Sequence, residues 1–205
     1  MNDTELERYS RHILLNEFDI VSQEKLSSAT ALMIGCGGLA NACAPILASA
    51  GLGHIIVCDG DTIELSNLQR QFAFTEADIG KHKAEVLKTY LQARNSQIQI
   101  SSIHQFVDET FLHDCLPQCD VIIDCSDNSR TRHLINRLAV QHRIPLISAS
   151  VIQFSGQLAV FDSRNQQSPC YACLFPQEIQ QENTCTKNGV YARLVHMMGA
   201  AQAAE

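Results

Sequence analysis

The hydrophobic residues of this chain fall into short runs that are apolar on both faces, separated by polar segments with helical spacing. Ala31–Ile34, His54–Cys58, Asp120–Cys125 and Ile144–Val151 are near-continuous apolar stretches, the pattern of strands buried on both sides in a parallel sheet. Gln97–Phe106 instead alternates, with Ile98, Ile100 and Ile103 set among polar residues, and reads as a strand near an edge. Between these runs, Asn41–Ala50, Lys81–Arg94, Asp108–Leu116 and Ser129–His142 predict helices. Gly51 and Gly53 stop the first, and Ser126-Asp127-Asn128 stands where the last needs an N-terminal cap. Phe111, Leu112 and Cys115 are the expected buried positions of the third. Gln153–Asp162 reads as a turn at Ser155-Gly156 followed by β structure. Ahead of the first strand, Asn2–Glu17 predicts an amphipathic helix started by Asp3 or Thr4, and Val21–Ser28 predicts a second short helix. Val190–Glu205 predicts a helix with Leu194, Met197, Met198 and Ala201 on one face, which reaches Glu205 with no cap or breaker.

The segment Ala29–Asp61 gives this alternation a purpose. The apolar run ending at Ile34 leads directly into Gly35-Cys36-Gly37-Gly38-Leu39-Ala40, the G-x-G-x-x-G/A spacing with Ala40 in the last place. The first glycine allows a tight turn, the second lets backbone approach a ligand, and a small third residue lets helix pack on strand. The next strand ends at Asp59, where an acid fits a hydrogen bond to a nucleotide ribose. The fold class expected is therefore α/β: a Rossmann-like, doubly wound, mostly parallel sheet with an antiparallel hairpin at one edge. The whole chain, 1–205, reads as a single domain with an N-terminal helical arm over about 1–28 and an interrupted end. The absence of Asp, Glu, Lys and Arg from Ala29–Cys58 raises a membrane span as a rival. Such a span needs about 20 unbroken apolar residues, and this segment is cut by five glycines, Asn41 and Pro45.

Ligands of open α/β sheets sit beyond the C-terminal ends of the strands. The polar connection Thr62–Gln71 follows such an end, so Asn67 and Arg70 are placed to meet a phosphate. Lys83, near the start of its helix, adds a mobile positive charge. Asp127 lies at the same sheet edge, where a carboxylate can hold Mg²⁺ against phosphate oxygens, and Asp127 or Asn128 can also cap the following helix. The sequence has no G-x-x-x-x-G-K-[ST] stretch, which excludes a P-loop.

Composition narrows the choice of partner. Fifteen basic against 22 acidic residues give a net charge of −7, which argues against nucleic acid or anionic membrane as the main partner. The first residues lack the basic-then-apolar layout of a signal peptide. With nine cysteines this predicts a reducing, cytoplasmic setting. Cys170-Tyr171-Ala172-Cys173 is the one C-x-x-C and supplies half of a tetrahedral zinc site. Cys36, Cys43, Cys58, Cys115, Cys119 and Cys125 read as small buried hydrophobes. The eight histidines show no paired spacing, and none is assigned a role.

RYSRHILL (8–15), GCGGLA (35–40), ASAGLG (48–53), DGDTIELSNLQRQ (59–71), IGKHK (79–83), DCSDN (124–128), CYAC (170–173) and TCTKNGV (184–190) together resemble the ThiF/MoeB/HesA family, bacterial relatives of the ubiquitin-activating enzymes. The resemblance implies MgATP-dependent adenylylation of the C-terminal glycine carboxylate of a small ubiquitin-fold sulfur carrier, with release of pyrophosphate, in thiamin or molybdopterin biosynthesis. It implies that Gly35, Gly37 and Gly38 contact the nucleotide and that Asp59, with Asp61 beside it, binds the ribose side. Ser66, Asn67, Gln69, Arg70 and Lys83 would surround the phosphates, and Asp127 with Asn128 would serve Mg²⁺ and the reacting centre. Arg11 would be supplied by the partner subunit of a homodimer, giving a catalytic set of Arg11, Arg70, Lys83 and Asp127. Cys170 and Cys173 would be the first pair of a structural Cys₄ zinc site whose second pair the family supplies beyond the position of Glu205, so that either the sequence is a fragment or the site is lost, and Cys185 matches a cysteine that some members use in sulfur transfer and others do not. Ala40 departs from the glycine usual in the family.

A nicotinamide-dependent oxidoreductase is compatible with the glycine turn and Asp59 alone, but leaves Asn67, Arg70, Lys83 and Asp127 without a task. A non-catalytic carrier-binding scaffold is compatible with the fold but not with so complete a charged set. The expected outcome of a thermal-shift titration is stabilisation by ATP with Mg²⁺ and none by NAD. The reverse result would favour the oxidoreductase.

Overall fold

The computed structural model describes residues 1–176 and 189–205. Among these residues, six strands form one sheet: β1 Thr30–Ile34, β2 His54–Cys58, β3 Gln99–Ile103, β4 Val121–Asp124, β5 Leu146–Ile152 and β6 Ser155–Phe161. The strands lie in the order β3-β2-β1-β4-β5-β6. Every neighbouring pair is parallel except β5 and β6, which form the antiparallel edge hairpin. The described helices are α1 Asp3–Arg8, α2 Ser10–Ile13, α3 Ile20–Ser28, α4 Gly38–Ala50, α5 Lys83–Gln92, α6 Glu109–Cys115, α7 Ser129–His142, α8 Tyr171–Leu174 and α9 Ala192–Ala204. This is the doubly wound sheet expected from the sequence.

The period of two along a strand sorts its side chains between two cores. On one face, Ala31 and Met33 of β1 join Ile55 and Val57 of β2 and Ile123 of β4 beneath α4, α5 and α9. On the other, Leu32, Ile34, Ile56, Cys58 and Ile122 meet Leu112 and Cys115 of α6 and Ile135 and Leu138 of α7. Both faces are covered, which is why these strands read as apolar runs without alternation. The six cysteines expected to act as hydrophobes are all free and buried. Burial pushes the Cys43 thiol up to about 12. No helix among the described residues is long and apolar enough to cross a membrane.

Four local expectations are corrected. The predicted Asn2–Glu17 helix is two short ones, capped by Asn2, whose side chain accepts from Glu5 N–H. It breaks at Tyr9 because that ring is drawn inward to 4% exposure, where its hydroxyl accepts from Asn95 Nδ2 at 2.9 Å. The hairpin turn is Gln153-Phe154, since Ile152 pairs with Ser155. Gln153 takes a positive φ of 52° while its backbone bonds Gly189 and Tyr191. Phe111 is only partly buried. On α9 the buried face is Val195, Gly199 and Gln202, whereas Met197 is 68% exposed. That face is set by Gln202, whose amide donates to the Asp124 and Ile147 carbonyls at 2.9 and 3.0 Å, so a polar side chain anchors the helix across the ends of β4 and β5.

Candidate functional site

β1 and β4 are neighbours in the sheet but not in the chain, and the connections leaving their C-terminal ends part in opposite directions. A cleft of about 340 Å³ opens at that point. Its floor is the glycine turn. Gly35 has a φ of +90°, and an added Cβ would lie 2.8 Å from the Cys125 carbonyl oxygen, so only glycine fits this approach of the two strand ends. The Gly35 N–H donates to Cys58 O at 2.8 Å, which fastens the turn to the end of β2.

Asp59 completes that fastening. Its carboxylate accepts from Cys36 N–H at 2.6 Å and from Asp61 N–H at 2.7 Å. Burial raises its pKa above the ordinary carboxylate value, opposed by these two hydrogen bonds and by the charge of Lys83. Lys83 is 7% exposed at the start of α5, and its Nζ lies 2.8 Å from Asp61 Oδ2. Asn67, buried in the turn Leu65–Asn67, accepts from Glu64 N–H at 3.1 Å. Arg70 donates from Nη1 to Ser66 O at 2.9 Å, and its own carbonyl accepts from His196 Nε2 on α9 at 2.9 Å.

The opposite wall is the connection from β4 to α7. Asp124 is fully buried and accepts from Ser126 N–H and Oγ at 3.0 and 2.6 Å and from Ser148 Oγ at 2.8 Å. Arg132 Nη2 donates to Ser126 O at 2.6 Å, so a buried acid and an arginine brace the turn that carries Asp127. Asn128 caps α7, its side chain accepting from Thr131 N–H at 2.9 Å. Asp127 itself is exposed on the lip of the cleft.

The structure thus brings together, around one cleft, Gly35, Gly37, Gly38, Asp59, Asp61, Asn67, Arg70, Lys83, Asp127 and Asn128. Ser66 and Gln69 are exposed and do not line it, because the turn through Asn67 directs them outward. Arg11 is exposed on α2 and does not line the cleft of its own chain. Cys170 and Cys173 stand apart from it, with their Sγ atoms 3.6 Å apart. Cys185 lies outside the described residues. Among the described residues no group of three or more His, Cys, Asp or Glu is placed to hold a metal ion.

Two cleft residues went unread in the sequence. Gln71 Oε1 and Arg132 Nε are buried without hydrogen-bond partners, and Arg132 Nε reaches Asp124 Oδ2 only at 3.8 Å. Unsatisfied buried polar atoms lining a cleft mark it as built for a polar ligand. Arg132 lies one helical turn beyond the Asn128 cap, a spacing that could have drawn attention to it. Histidines without paired spacing in the chain nevertheless meet in space: His82 stacks on His104 with centroids 4.7 Å apart, and His113 Nδ1 lies 3.0 Å from His142 Nε2. Their separations in the chain concealed both pairs.

Comparison with known proteins matches residues 9–205 to the ThiF family. The chain is 41% identical over 205 residues to the sulfur carrier protein ThiS adenylyltransferase of Escherichia coli, covering 100% of this chain and 81% of that protein. It is 40% identical over 207 residues to the adenylyltransferase and sulfurtransferase MOCS3 of Culex quinquefasciatus, covering 100% of this chain and 47% of that one. Among solved structures, Escherichia coli MccB with ATP superposes with a TM-score of 0.81 at 32% identity, covering 99% of this chain and 62% of that chain. The chain therefore spans about half of the insect relative and under two thirds of MccB.

The raised Asp59 pKa has a signed consequence. Below its ordinary value of 3.8 the carboxyl is protonated in both folded and unfolded chains. As pH rises, the unfolded chain releases that proton first. The contribution of Asp59 to stability therefore falls as pH climbs through its folded-state pKa, and it is a penalty at neutral pH. Asp59→Asn, which keeps an oxygen for the Cys36 N–H, is expected to lose less stability than wild type between about pH 4 and about pH 7. Urea midpoints across that range check this, and parallel profiles would contradict it.

Proposed function

We propose, from the premise that the chain belongs to the ThiF family, that it adenylylates the C-terminal glycine carboxylate of a small sulfur-carrier protein at the expense of ATP, in thiamin or molybdopterin biosynthesis. The observation that carries this reading is the convergence on one cleft of the glycine turn, Asp59, the cations Arg70 and Lys83, and the exposed carboxylate of Asp127.

The chemistry demands such a set. A terminal carboxylate is already ionised at neutral pH, so its attack on the α-phosphorus needs no general base. One carboxylate oxygen bonds to phosphorus, the bond to the β-phosphate oxygen breaks, and pyrophosphate leaves. The obstacle is an anion approaching an anion. Arg70 and Lys83 oppose it with fixed positive charge, and the ion pair of buried Lys83 with the exposed carboxylate of Asp61 holds the lysine in place before substrate arrives. Asn67, Arg132 and Gln71 contribute polar contacts around the nucleotide. Asp127, with Asn128 behind it, is the residue that would hold Mg²⁺, which supplies further neutralisation of phosphate charge. Magnesium keeps several waters and takes one or two carboxylates plus phosphate oxygens, so a single carboxylate at the lip suits it.

Two further parts of the reading concern residues away from this cleft. Arg11, exposed on α2, reaches the cleft of a second copy in a homodimer. Cys170 and Cys173 form half of a structural zinc site. Two sulfurs on one tetrahedral Zn²⁺ at about 2.3 Å lie about 3.8 Å apart, close to the 3.6 Å of this pair. Asn136 Nδ2 also points at Cys170 Sγ at 3.6 Å. The remaining ligands would come from outside the described residues.

Replacing Asp127 or Arg70 by alanine is expected to lower carrier-dependent ATP–pyrophosphate exchange at least about a hundredfold. Both side chains are at the rim of the cleft, so the melting temperature should hold. Exchange at the wild-type rate in either variant would sink the assignment.

A further inference from the structure

α6 ends at Cys115, and the chain turns through Leu116–Gln118 before Cys119 leads toward β4. Residues four apart on helical turns have Cα atoms about 6 Å apart, inside the range that disulfides span. The two side chains face each other across this turn. Cys119 S–H donates to the Cys115 carbonyl at 3.2 Å, which directs its sulfur back to 3.9 Å from Cys115 Sγ. Pro117 between them has its φ fixed by its ring, and Cys119 N–H donates to Leu116 O at 3.0 Å, so the turn holds both sulfurs in place. The thiols lie just beneath the surface. Cys115 is 5% and Cys119 9% exposed, whereas Pro117 and Gln118 are open to water. Neither cysteine lines the cleft.

Cysteines serving only as small hydrophobes need burial but no contact between their sulfurs. We propose that Cys115 and Cys119 form a redox-active dithiol, reduced at rest and closed to a disulfide by a peroxide. Cys115 is the attacking group. The hydrogen bond between the thiols holds Cys115 below the ordinary thiol range, against the effect of burial, and raises Cys119. The Cys115 thiolate attacks one peroxide oxygen, the O–O bond breaks and hydroxide leaves, giving a sulfenic acid at Cys115. Cys119 sulfur then attacks the sulfenic sulfur. The S–S bond forms, the S–O bond breaks, and the Cys119 proton leaves with the hydroxyl as water. The first hydroxide takes up the proton that Cys115 had lost. Two thiols and one hydrogen peroxide thus give one disulfide and two waters, with both sulfurs oxidised and both peroxide oxygens reduced. The sulfurs close from 3.9 Å to about 2.05 Å. An external dithiol reverses the step by exchange.

Cleavage ahead of aspartates releases Asp114–Cys119 (DCLPQC), a peptide that holds these two cysteines and no other. The folded protein is treated with hydrogen peroxide, its free thiols are blocked with N-ethylmaleimide as it is denatured, and the peptide is weighed. The expected product is unblocked and lighter by two hydrogens, and dithiothreitol restores it. This readout needs no variant. Cys119→Ser is expected to trap the sulfenic acid, seen as a dimedone adduct on Cys115, and Cys115→Ser to slow oxidation of Cys119 at least about tenfold. Against glutathione, the equilibrium constant for the disulfide is expected to be about tenfold larger in the folded chain than in urea, because the fold brings the sulfurs together. If both thiols of the peptide are blocked after peroxide has oxidised cysteines elsewhere in the chain, the proposal fails and the pair is packing alone. A disulfide from Cys115 to Cys58 or to another molecule overturns the pairing. An equilibrium constant no larger in the folded chain than in urea overturns the claim that the turn prepares the sulfurs.

Discussion

The carboxylate of Asp59 holds together two chain segments that would otherwise end independently. By accepting from Cys36 N–H and Asp61 N–H it binds the turn after β1 to the loop after β2. The Gly35–Cys58 backbone bond reinforces the same junction. The arrangement costs something, since the acid sits largely out of water with its pKa raised. It is also what orients the neighbours: Asp61 is turned to receive Lys83, and Gly60 is left as the seat for Phe106. In the proposed function the carboxylate that closes the cleft floor in the free protein is also the group offered to a ribose, so that structural and binding roles would share one set of lone pairs.

The facing wall is organised on a different principle. Asp124 is a buried charge surrounded by hydroxyls, a backbone N–H and a guanidinium, and every one of those contacts lies behind the turn that carries Asp127. Buried polar groups with satisfied partners specify a single geometry, and here they fix the turn while leaving Asp127 exposed at its tip. α9 joins in from the opposite side through Gln202, which reaches the Asp124 and Ile147 carbonyls, and through His196, which fixes the carbonyl of Arg70. The cleft is therefore rigid where the sheet ends and open where a substrate would enter. Rigid placement of charge before substrate binding is the condition under which electrostatic stabilisation is most effective.

Most of the sheet could be read from the chain because burial on both faces leaves a strong local trace. β2 is bounded at His54 and Cys58, as its apolar run suggested, and α7 begins one residue after its Asn128 cap. What escaped was decided at long range. Tyr9 breaks the first helix because Asn95, far along the chain, donates to its hydroxyl oxygen in the core. The inward face of α9 follows Gln202 rather than its methionines, since two strand-end carbonyls outweigh apolar content. At the candidate site, motif residues beside the glycine turn converged, whereas Ser66 and Gln69 turned outward on a bend that spacing alone could not orient. Gln71 became visible only when segments distant in sequence were set side by side, whereas Arg132 left a spacing from the Asn128 cap that went unread.

The central claim is that this cleft joins AMP to a carrier's terminal carboxylate. It is tested most directly by following the label of α-phosphate-labelled ATP in the presence of each of two carriers, one of the thiamin pathway and one of the molybdopterin pathway. The account predicts transfer of labelled AMP to at least one carrier, with pyrophosphate released and transfer abolished when the carrier's final glycine is removed. Label that stays entirely in free nucleotide with both intact carriers, despite ATP bound in the cleft, would contradict it and leave the fold as a carrier-binding scaffold.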